Sequence, residues 1–174
     1  MKRVTSVFLL LLLLCRLLPV PGVQAAKVQE SRSIAIVFDN SGSMYVNNQQ
    51  AWCRATYAME VFASMLNPGD TLRVYPMNPI TVDGREYTMD SPLYIDSAVE
   101  AGQIRKIYTD FASGTPIESI DAAAAGLAQE DADHKYLIVL TDGASFYRND
   151  IELSAAQTQT ALTEALGQYS ASGM

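Results

Sequence analysis

The sequence predicts an α/β protein built on a largely parallel sheet, and two observations carry this prediction. Two apolar segments, Ile34 to Phe38 and Lys135 to Leu140 (KYLIVL), are each closely followed by an aspartate. Unbroken apolar runs rich in β-branched residues are typical of strands buried on both faces of a parallel sheet. Between Phe38 and a third strand-like run, Thr71 to Met77, lies a segment with helical spacing. Strand, helix and strand in this order favour a right-handed βαβ unit.

The first 25 residues have the features of a secretory signal peptide. Lys2 and Arg3 precede an apolar stretch from Val7 to Leu14, and Val23-Gln24-Ala25 supplies small residues for cleavage after Ala25. The remaining chain divides into a short polar leader, residues 26–32, and one domain, residues 33–174.

Two other interpretations of this N-terminal segment are disfavoured. The uncharged run from Val4 to Cys15 is shorter than the ~20 residues that a membrane-spanning helix needs, which argues against an uncleaved anchor. A lipoprotein signal at Cys15 would have small residues before the cysteine, whereas Leu13 and Leu14 stand there.

Charge and cysteine content exclude several classes of function. The chain has 12 basic and 19 acidic residues, a net charge of −7, and loss of the signal peptide removes three of the basic residues. Nucleic acids and anionic membranes need basic patches, so neither is expected as a partner. Cys53 is the only cysteine left after cleavage, which excludes an intrachain disulfide and a cysteine-based zinc site. We expect Cys53 to be a small buried hydrophobe on a helix.

The elements from the first strand to residue 108 follow from spacing and turn residues. Ala51 to Leu66 has helical spacing and stops at an Asn-Pro-Gly-Asp turn. In the strand Thr71 to Met77, Pro76 indicates either the strand end or a position near a sheet edge. Residues 78–95 predict a hairpin or an insertion, with a turn at residues 82–85 and a short strand at 85–89 or 93–95. Ser97 to Tyr108 predicts a helix that Gly102 weakens.

A helix entry is predicted at Gly114-Thr115-Pro116. Thr115 suits an N-cap, Pro116 suits the first turn, and Glu118 has the spacing of a capping box. The helix then runs from Ile117 to Gln129. Thr115 therefore has a structural explanation as a helix cap.

The second half of the domain repeats the opening pattern. The strand KYLIVL leads directly into Thr141-Asp142-Gly143, and a last helix is predicted from Ile151 to Tyr169. His134, the only histidine, precedes this strand at the end away from Asp142. We therefore expect it to be a surface residue and not a catalytic base.

Oxygen-bearing side chains follow the first strand at alternate positions. Asp39, Ser41 and Ser43 form the pattern D-x-S-x-S. Carboxylates and hydroxyls are hard oxygen donors of the kind that Mg²⁺ prefers. The same residue types are typical of a turn that merely ends a strand. On this stretch alone, both a metal site and a turn are open.

Three segments together resemble a known family. DNSGS at 39–43, Thr115 in Gly-Thr-Pro, and Asp142 in Thr-Asp-Gly resemble the metal-ion-dependent adhesion site of von Willebrand factor type A domains, and the resemblance spans residues 33–174. It implies a doubly wound, mostly parallel sheet with helices on both faces, a Rossmann-like fold. It also implies that Ser41, Ser43 and Thr115 offer hydroxyls to Mg²⁺ or Mn²⁺, with Asp39 and Asp142 acting directly or through water.

This resemblance implies a secreted or cell-surface binding or adhesion module and not an enzyme. The cation would coordinate a Glu or Asp side chain of a protein or extracellular-matrix partner. Two alternatives are a metal-dependent hydrolase and a metal-free structural assembly module. Against the hydrolase, Ser41 replaces the second acid that phosphoacceptor hydrolases use, and neither G-x-S-x-G nor a Lys-containing phosphate loop is present.

Two departures from the family pattern give further expectations. The family's sheet normally carries further strands after the helix that follows Thr-Asp-Gly, so KYLIVL is expected at an exposed edge. We therefore expect a C-terminally truncated domain, or a partner that covers the edge, and membrane or wall anchoring through a missing C-terminal region. Residues 78–95 match no simple family hairpin, and their role is unassigned.

Overall fold

The computed structural model describes residues 29–46, 50–111, 114–143 and 145–171, with side chains described as far as residue 167. The predicted signal peptide and residues 26–28 of the predicted leader lie outside the described residues, and neither prediction is tested.

The fold is organised around a four-stranded sheet whose order is β5-β2-β1-β6. β1 pairs in parallel with β2 on one side and with β6 on the other, while β5 runs antiparallel to β2 at the edge. The bounds are β1 Arg32–Phe38, β2 Thr71–Pro76, β5 Leu93–Ile95 and β6 His134–Leu140. The mostly parallel sheet predicted from the sequence is confirmed. Pro76 is the last residue of β2, and β2 is an interior strand of the sheet. Of the two alternatives for Pro76, the strand end is therefore correct and the sheet edge is wrong.

Two short hairpins flank this sheet. The first pairs β3, Ile80–Val82, with β4, Arg85–Tyr87, and the second pairs β7, Tyr147–Arg148, with β8, Ile151–Glu152. The turn of the first hairpin lies at residues 83 and 84, which both have positive φ, as the sequence predicts. The second hairpin was not predicted.

Helices cover both faces of the sheet. Their bounds are α1 Gly42–Tyr45, α2 Gln50–Ser64, a 3-10 helix Ala98–Lys106, α3 Glu118–Ala128 and α4 Ala155–Ala171. Alternate residues of β1 enter two cores, because successive strand residues point to opposite faces. Ile34, Ile36 and Phe38 pack with α2 and the 3-10 helix, whereas Ala35 and Val37 pack with α3 and α4. The predicted doubly wound α/β architecture is therefore confirmed.

Two local predictions are wrong. Cys53 is exposed, because α2 buries Ala55, Met59 and Ala63 at intervals of four, and residue 53 lies on the opposite side of the helix. The last helix begins at Ala155 and not at Ile151, because Ile151 pairs within β8. The helix predicted at 97–108 is confirmed, and it is the 3-10 helix Ala98–Lys106.

Among the described residues β6 lies at an edge of the sheet, which is the position expected for KYLIVL. Tyr136 and Val139 on this strand are 46% and 37% exposed. Within residues 29–46, 50–111, 114–143 and 145–171, no helix has both the length and the apolar character needed to cross a bilayer.

Candidate metal centre

The topology brings the ends of β1 and β6 together. Phe38 and Leu140, the last residues of these parallel strands, are register partners, and the Asp39 N–H donates a 2.9 Å hydrogen bond to the Leu140 carbonyl. The chain leaves β1 through α2 toward β2 on one side and returns through α3 to β6 on the other. Ligand sites of open α/β sheets form where the direction of winding reverses in this way. Asp39 and Asp142 both follow strands at this reversal.

The Asp39 carboxylate is fully buried and held at both oxygens. Its Oδ1 accepts a 3.0 Å hydrogen bond from the Ser41 N–H, and its Oδ2 accepts a 2.7 Å bond from the Thr141 hydroxyl. Hydrogen bonds to a carboxylate are stronger than bonds between neutral groups, so they fix its orientation. A buried carboxylate without a basic partner among these bonds is favourably placed to receive a cation.

Two of the three predicted hydroxyl ligands are neighbours. The oxygens of Ser41 and Ser43 lie 3.0 Å apart, and either hydroxyl is able to donate to the other. Ser41 is 4% exposed, whereas Ser43 at the start of α1 is half-buried. The D-x-S-x-S loop therefore gathers a carboxylate and two hydroxyls at the carboxyl end of β1.

A pair of asparagines ties this loop to its neighbours. The Asn78 N–H donates to Asn40 Oδ1 at 2.8 Å, and Asn40 Nδ2 donates to the Asn78 carbonyl and to the Thr109 hydroxyl, both at 2.9 Å. Asn78 Nδ2 in turn donates to the Gly114 carbonyl at 3.0 Å. The loop after β1, the end of β2 and the residue before Thr115 are thus joined by side-chain amides.

Thr115 is buried, but it does not cap α3 as the sequence predicted. The helix begins with Ile117 in the cap position, which makes no side-chain capping bond. The Thr115 hydroxyl donates instead to the Ser145 carbonyl. A hydroxyl that directs its proton to a carbonyl keeps its lone pairs for another partner, as ligation of a cation requires.

Glu118 does not complete a capping box either. Its Oε1 accepts a 3.0 Å hydrogen bond from the Asn149 N–H in the turn of the β7–β8 hairpin. The backbone of Tyr147 pairs with Thr115 and Ile117 at 3.0 and 2.9 Å. The hairpin therefore docks on the entry to α3, which explains why the Glu118 side chain turns toward it.

Asp142 is exposed and lies one residue beyond Thr141. Asp39, Ser41 and Ser43 form one hydrogen-bonded cluster, while Thr115 and Asp142 occupy adjoining loops at the same edge of the sheet. In the part of the chain that the structure describes, no group of three or more His, Cys, Asp or Glu side chains is placed to hold a metal ion. A cation at this edge would therefore depend on hydroxyl ligands, and the residues present fit Mg²⁺ or Mn²⁺ in this respect.

Sequence reasoning missed three residues that shape the site. Thr141 stands between β6 and Asp142, and its place in Thr-Asp-Gly was the available signal. Asn40 lies inside DNSGS, between two predicted metal ligands, and this position was the available signal. Asn78 carries no local signal, because its partners are distant along the chain.

No protein-family profile matches the chain, and no curated protein sequence matches it. Among solved structures, proximal thread matrix protein 1 from the mussel byssus is similar, with a TM-score of 0.50 and 21% sequence identity over 78% of this chain and 34% of that chain. The vWF domain of the type V pili tip protein Mfa5 from Porphyromonas gingivalis is similar with a TM-score of 0.49 and 18% identity, over 74% of this chain and 44% of that chain.

The chain thus spans less than half the length of either of these solved chains. At such identities the likeness concerns the fold alone. The architecture is a Rossmann-like, doubly wound α/β fold with a mostly parallel sheet.

Proposed function

We propose that this chain is a von Willebrand factor type A-like binding module with a metal-ion-dependent adhesion site. Asp39, Ser41, Ser43, Thr115 and Asp142 hold Mg²⁺ or Mn²⁺, and the ion coordinates an acidic side chain of a protein partner. The observation that carries the proposal is the Asp39 carboxylate, which is fully buried and oriented at both oxygens beside two hydroxyls.

The donor set supports a binding role. Neutral hydroxyls supply three of the five proposed ligands, so a bound divalent cation would be incompletely neutralised and would supply Lewis acidity for one further oxygen. His134, the only histidine of the sequence, lies at the opposite end of β6, where it contacts Glu30. The proposed site therefore has no imidazole base, and we assign it no catalytic step.

Partner class and location belong to the same proposal. A carboxylate-bearing protein or matrix component is the partner, and the net charge of −7 argues against nucleic acid. The chain is secreted or displayed at the cell surface after cleavage following Ala25. The mussel matrix protein and the pilus tip protein, which share only the fold, have names that agree with an extracellular setting.

Thermal unfolding with and without Mg²⁺ tests the metal site. A ligand that binds only the folded state at 100 times its Kd stabilises that state by about 2.7 kcal/mol, so the unmutated protein should melt at a higher temperature in Mg²⁺ than in EDTA. Asp39→Ala should remain folded and lose the shift, whereas Asp96→Ala, at an exposed carboxylate elsewhere, should keep it. Absence of any shift in the unmutated protein would refute the site.

Water proton relaxation with Mn²⁺ tests the binding role. A carboxylate that completes the coordination shell displaces exchangeable water, so N-acetyl-aspartate amide should lower the relaxation enhancement of the Mn²⁺-loaded protein. N-acetyl-asparagine amide is the neutral control and should have no effect. An equal response to both compounds would count against carboxylate recognition.

A further inference from the structure

Thr115, a proposed metal ligand, is bonded to the β7–β8 hairpin and the segment leading into it through both its side chain and its backbone. Its hydroxyl donates to the carbonyl of Ser145, two residues before β7, and its carbonyl accepts a 3.0 Å hydrogen bond from the Tyr147 N–H. Pro116 and Tyr147 also form a parallel β-bridge. The position of the hairpin therefore sets the position of this ligand.

The hairpin is too short to be rigid by itself. Each of its strands has two residues, and an isolated two-stranded hairpin is marginally stable at best. Its position on α3 therefore depends on the bonds that dock it there.

Two carboxylates of α3 dock the hairpin turn. Glu118 and Asp121 are three residues apart, so they lie on the same face of the helix. Glu118 Oε1 accepts a 3.0 Å hydrogen bond from the Asn149 N–H, and Asp121 Oδ2 accepts a 2.9 Å bond from Arg148 Nη2. Arg148 thus supplies a charged bond between the hairpin and α3.

Arg148 is a cation among acidic side chains. It lines a cavity of about 360 Å³ together with Glu164 of α4. Burial raises the pKa of Asp121, the Arg148 cation lowers it, and the Glu118 and Glu164 carboxylates raise it again, with a raised pKa as the net result. If Arg148 were removed, three carboxylates from α3 and α4 would repel one another without this cation.

The ion pair is only partly shielded from water. The side chains of Arg148 and Asp121 are 36% and 33% exposed. Exposed pairs of this kind contribute little to the stability of a whole fold. We therefore expect the effect of this pair at the hairpin itself.

We propose that Arg148 is a positioning residue for the metal centre of the proposed function, on which this role rests. By binding Asp121 it holds the β7–β8 hairpin on α3, and the hairpin holds the Thr115 hydroxyl at the carboxyl end of the sheet. Arg148 acts through Thr115 and does not contact the ion.

The direction of the expected effect separates positioning from charge. Removal of a cation makes the protein more negative, and electrostatic attraction alone would then strengthen the binding of a divalent cation. Positioning predicts the opposite result. Arg148→Met loosens the hairpin and Thr115, and it should therefore weaken Mg²⁺ binding.

Isothermal titration with Mg²⁺ measures this effect. Arg148→Met should lower the affinity at least threefold, and Arg148→Lys, which keeps the charge, should lower it less. In a Thr115→Ala background Arg148→Met should have no further effect, because the ligand through which it acts is gone, whereas in a Ser41→Ala background its full effect should persist. Arg85→Met, at an exposed position on β4, is the control for lost charge and should not lower the affinity.

Hydrogen exchange in EDTA tests the docking of the hairpin without the metal. The amide protons of Ile117 and Tyr147 form the backbone bonds between the hairpin and the entry to α3. Both should exchange at least fivefold faster in Arg148→Met, while the amide protons of β1 should keep their rates.

Three results would each overturn the role of Arg148. They are unchanged exchange at Ile117 and Tyr147, an unchanged or raised Mg²⁺ affinity in Arg148→Met, and an equal loss of affinity with and without the Thr115 hydroxyl. Absence of Mg²⁺ binding in the unmutated protein would refute the proposed function and this role with it. Mg²⁺ binding that Arg148→Met leaves intact would overturn the role of Arg148 alone.

Discussion

The hydroxyl of Thr141 donates a 2.7 Å hydrogen bond to Oδ2 of Asp39, and this bond joins the ends of β6 and β1. The other carboxylate oxygen is held by the Ser41 N–H. Thr141 therefore orients the buried carboxylate without being one of the proposed metal ligands. Partners of this kind hold metal ligands in position, and their loss typically lowers metal affinity 10- to 100-fold.

Replacing this residue tests that relationship. Thr141→Val keeps the side-chain shape and removes the donor, which leaves Asp39 Oδ2 unpaired in a buried position. We expect a loss of about 1–3 kcal/mol in the free energy of unfolding in EDTA, together with weaker Mg²⁺ binding. Urea unfolding and Mg²⁺ titration measure the two effects. Thr160→Val, at an exposed position on α4, is the control. An equal loss of unfolding free energy and of Mg²⁺ affinity in this control would contradict the role assigned to Thr141.

The neutral ligands should matter less than the carboxylate. Ser41→Ala and Thr115→Ala each remove one uncharged oxygen, so each should lower Mg²⁺ affinity less than Asp39→Ala does. Isothermal titration with Mg²⁺ compares the three variants. Thr115→Ser retains the hydroxyl and its bond to the Ser145 carbonyl, and it should bind Mg²⁺ nearly as the unmutated protein does. A Thr115→Ala variant with unchanged affinity would exclude this residue from the metal site.

Acid should weaken the fold through Asp70. This carboxylate is buried, which alone would raise its pKa, but the Arg32 guanidinium at 2.5 and 3.0 Å and the N–H groups of Asn67 and Arg32 outweigh burial and lower the pKa. The native state therefore binds this proton less tightly than the unfolded chain does. The stabilisation is present above the unfolded pKa, about 3.9, and is lost as pH falls through that value toward the lower folded pKa.

Asp70→Asn tests this linkage. Because Arg32 keeps 28% of its side chain exposed, we expect a loss near the lower end of that for a broken buried pair, about 3 kcal/mol at pH 7. Below pH 5 the unfolding free energy of the variant should also fall less steeply than that of the unmutated protein. Urea unfolding from pH 3 to pH 7 measures both. Asp96→Asn is the control, and a decline in Asp70→Asn as steep as in the unmutated protein would assign acid sensitivity to other groups.

A close contact disfavours any side chain at Gly126 on α3. A Cβ at this position would lie 2.1 Å from the Tyr75 hydroxyl and 3.2 Å from Tyr75 Cζ. Tyr75 is only 4% exposed, so a side chain at position 126 would force its ring to shift within the packed interior. Gly126→Ala should therefore destabilise the fold by about 1–3 kcal/mol, in spite of the better helix propensity of alanine.

Two further variants test whether the contact with the Tyr75 hydroxyl causes the destabilisation by Gly126→Ala. Tyr75→Phe removes the hydroxyl, so Gly126→Ala should cost less in that background. Gly167→Ala, on α4 with open space around the added Cβ, should be neutral or stabilising by up to about 1 kcal/mol. Thermal unfolding compares the unmutated protein with Gly126→Ala, Tyr75→Phe, the double variant and Gly167→Ala. Equal destabilisation by Gly126→Ala with and without the Tyr75 hydroxyl would contradict the steric explanation.

Hydrophobic pattern was sufficient to predict the parallel strands β1 and β6. Ile34 to Phe38 and the KYLIVL segment are apolar because both faces of β1, and part of β6, pack under helices. The same pattern predicted α2 and α3 within a few residues. The carboxyl-end location of Asp39 and Asp142 followed from the strands alone, since parallel strands end at one edge.

Features that depend on tertiary contacts escaped prediction. The sequence predicted that the Thr115 hydroxyl caps α3. It donates a hydrogen bond to the Ser145 carbonyl instead, and this tertiary contact has no local sequence signal. The β7–β8 hairpin has two residues in each strand, too few for a periodic signal. Asn40 and Asn78 pair across 38 residues of sequence, and no local pattern reports such a pair.

The strand order has a consequence during synthesis. Thr141 follows Asp39 by 102 residues, so at elongation rates of 5–20 residues per second a ribosome needs about 5–20 s to add β6 after β1. In the folded sheet the apolar β1 lies between the parallel strands β2 and β6. Throughout that interval β2 alone of these two is available to pair with it. Slow codons between residues 76 and 134 would lengthen the interval, and their cost would be seen in the yield of folded protein while the stability of each finished molecule stayed the same.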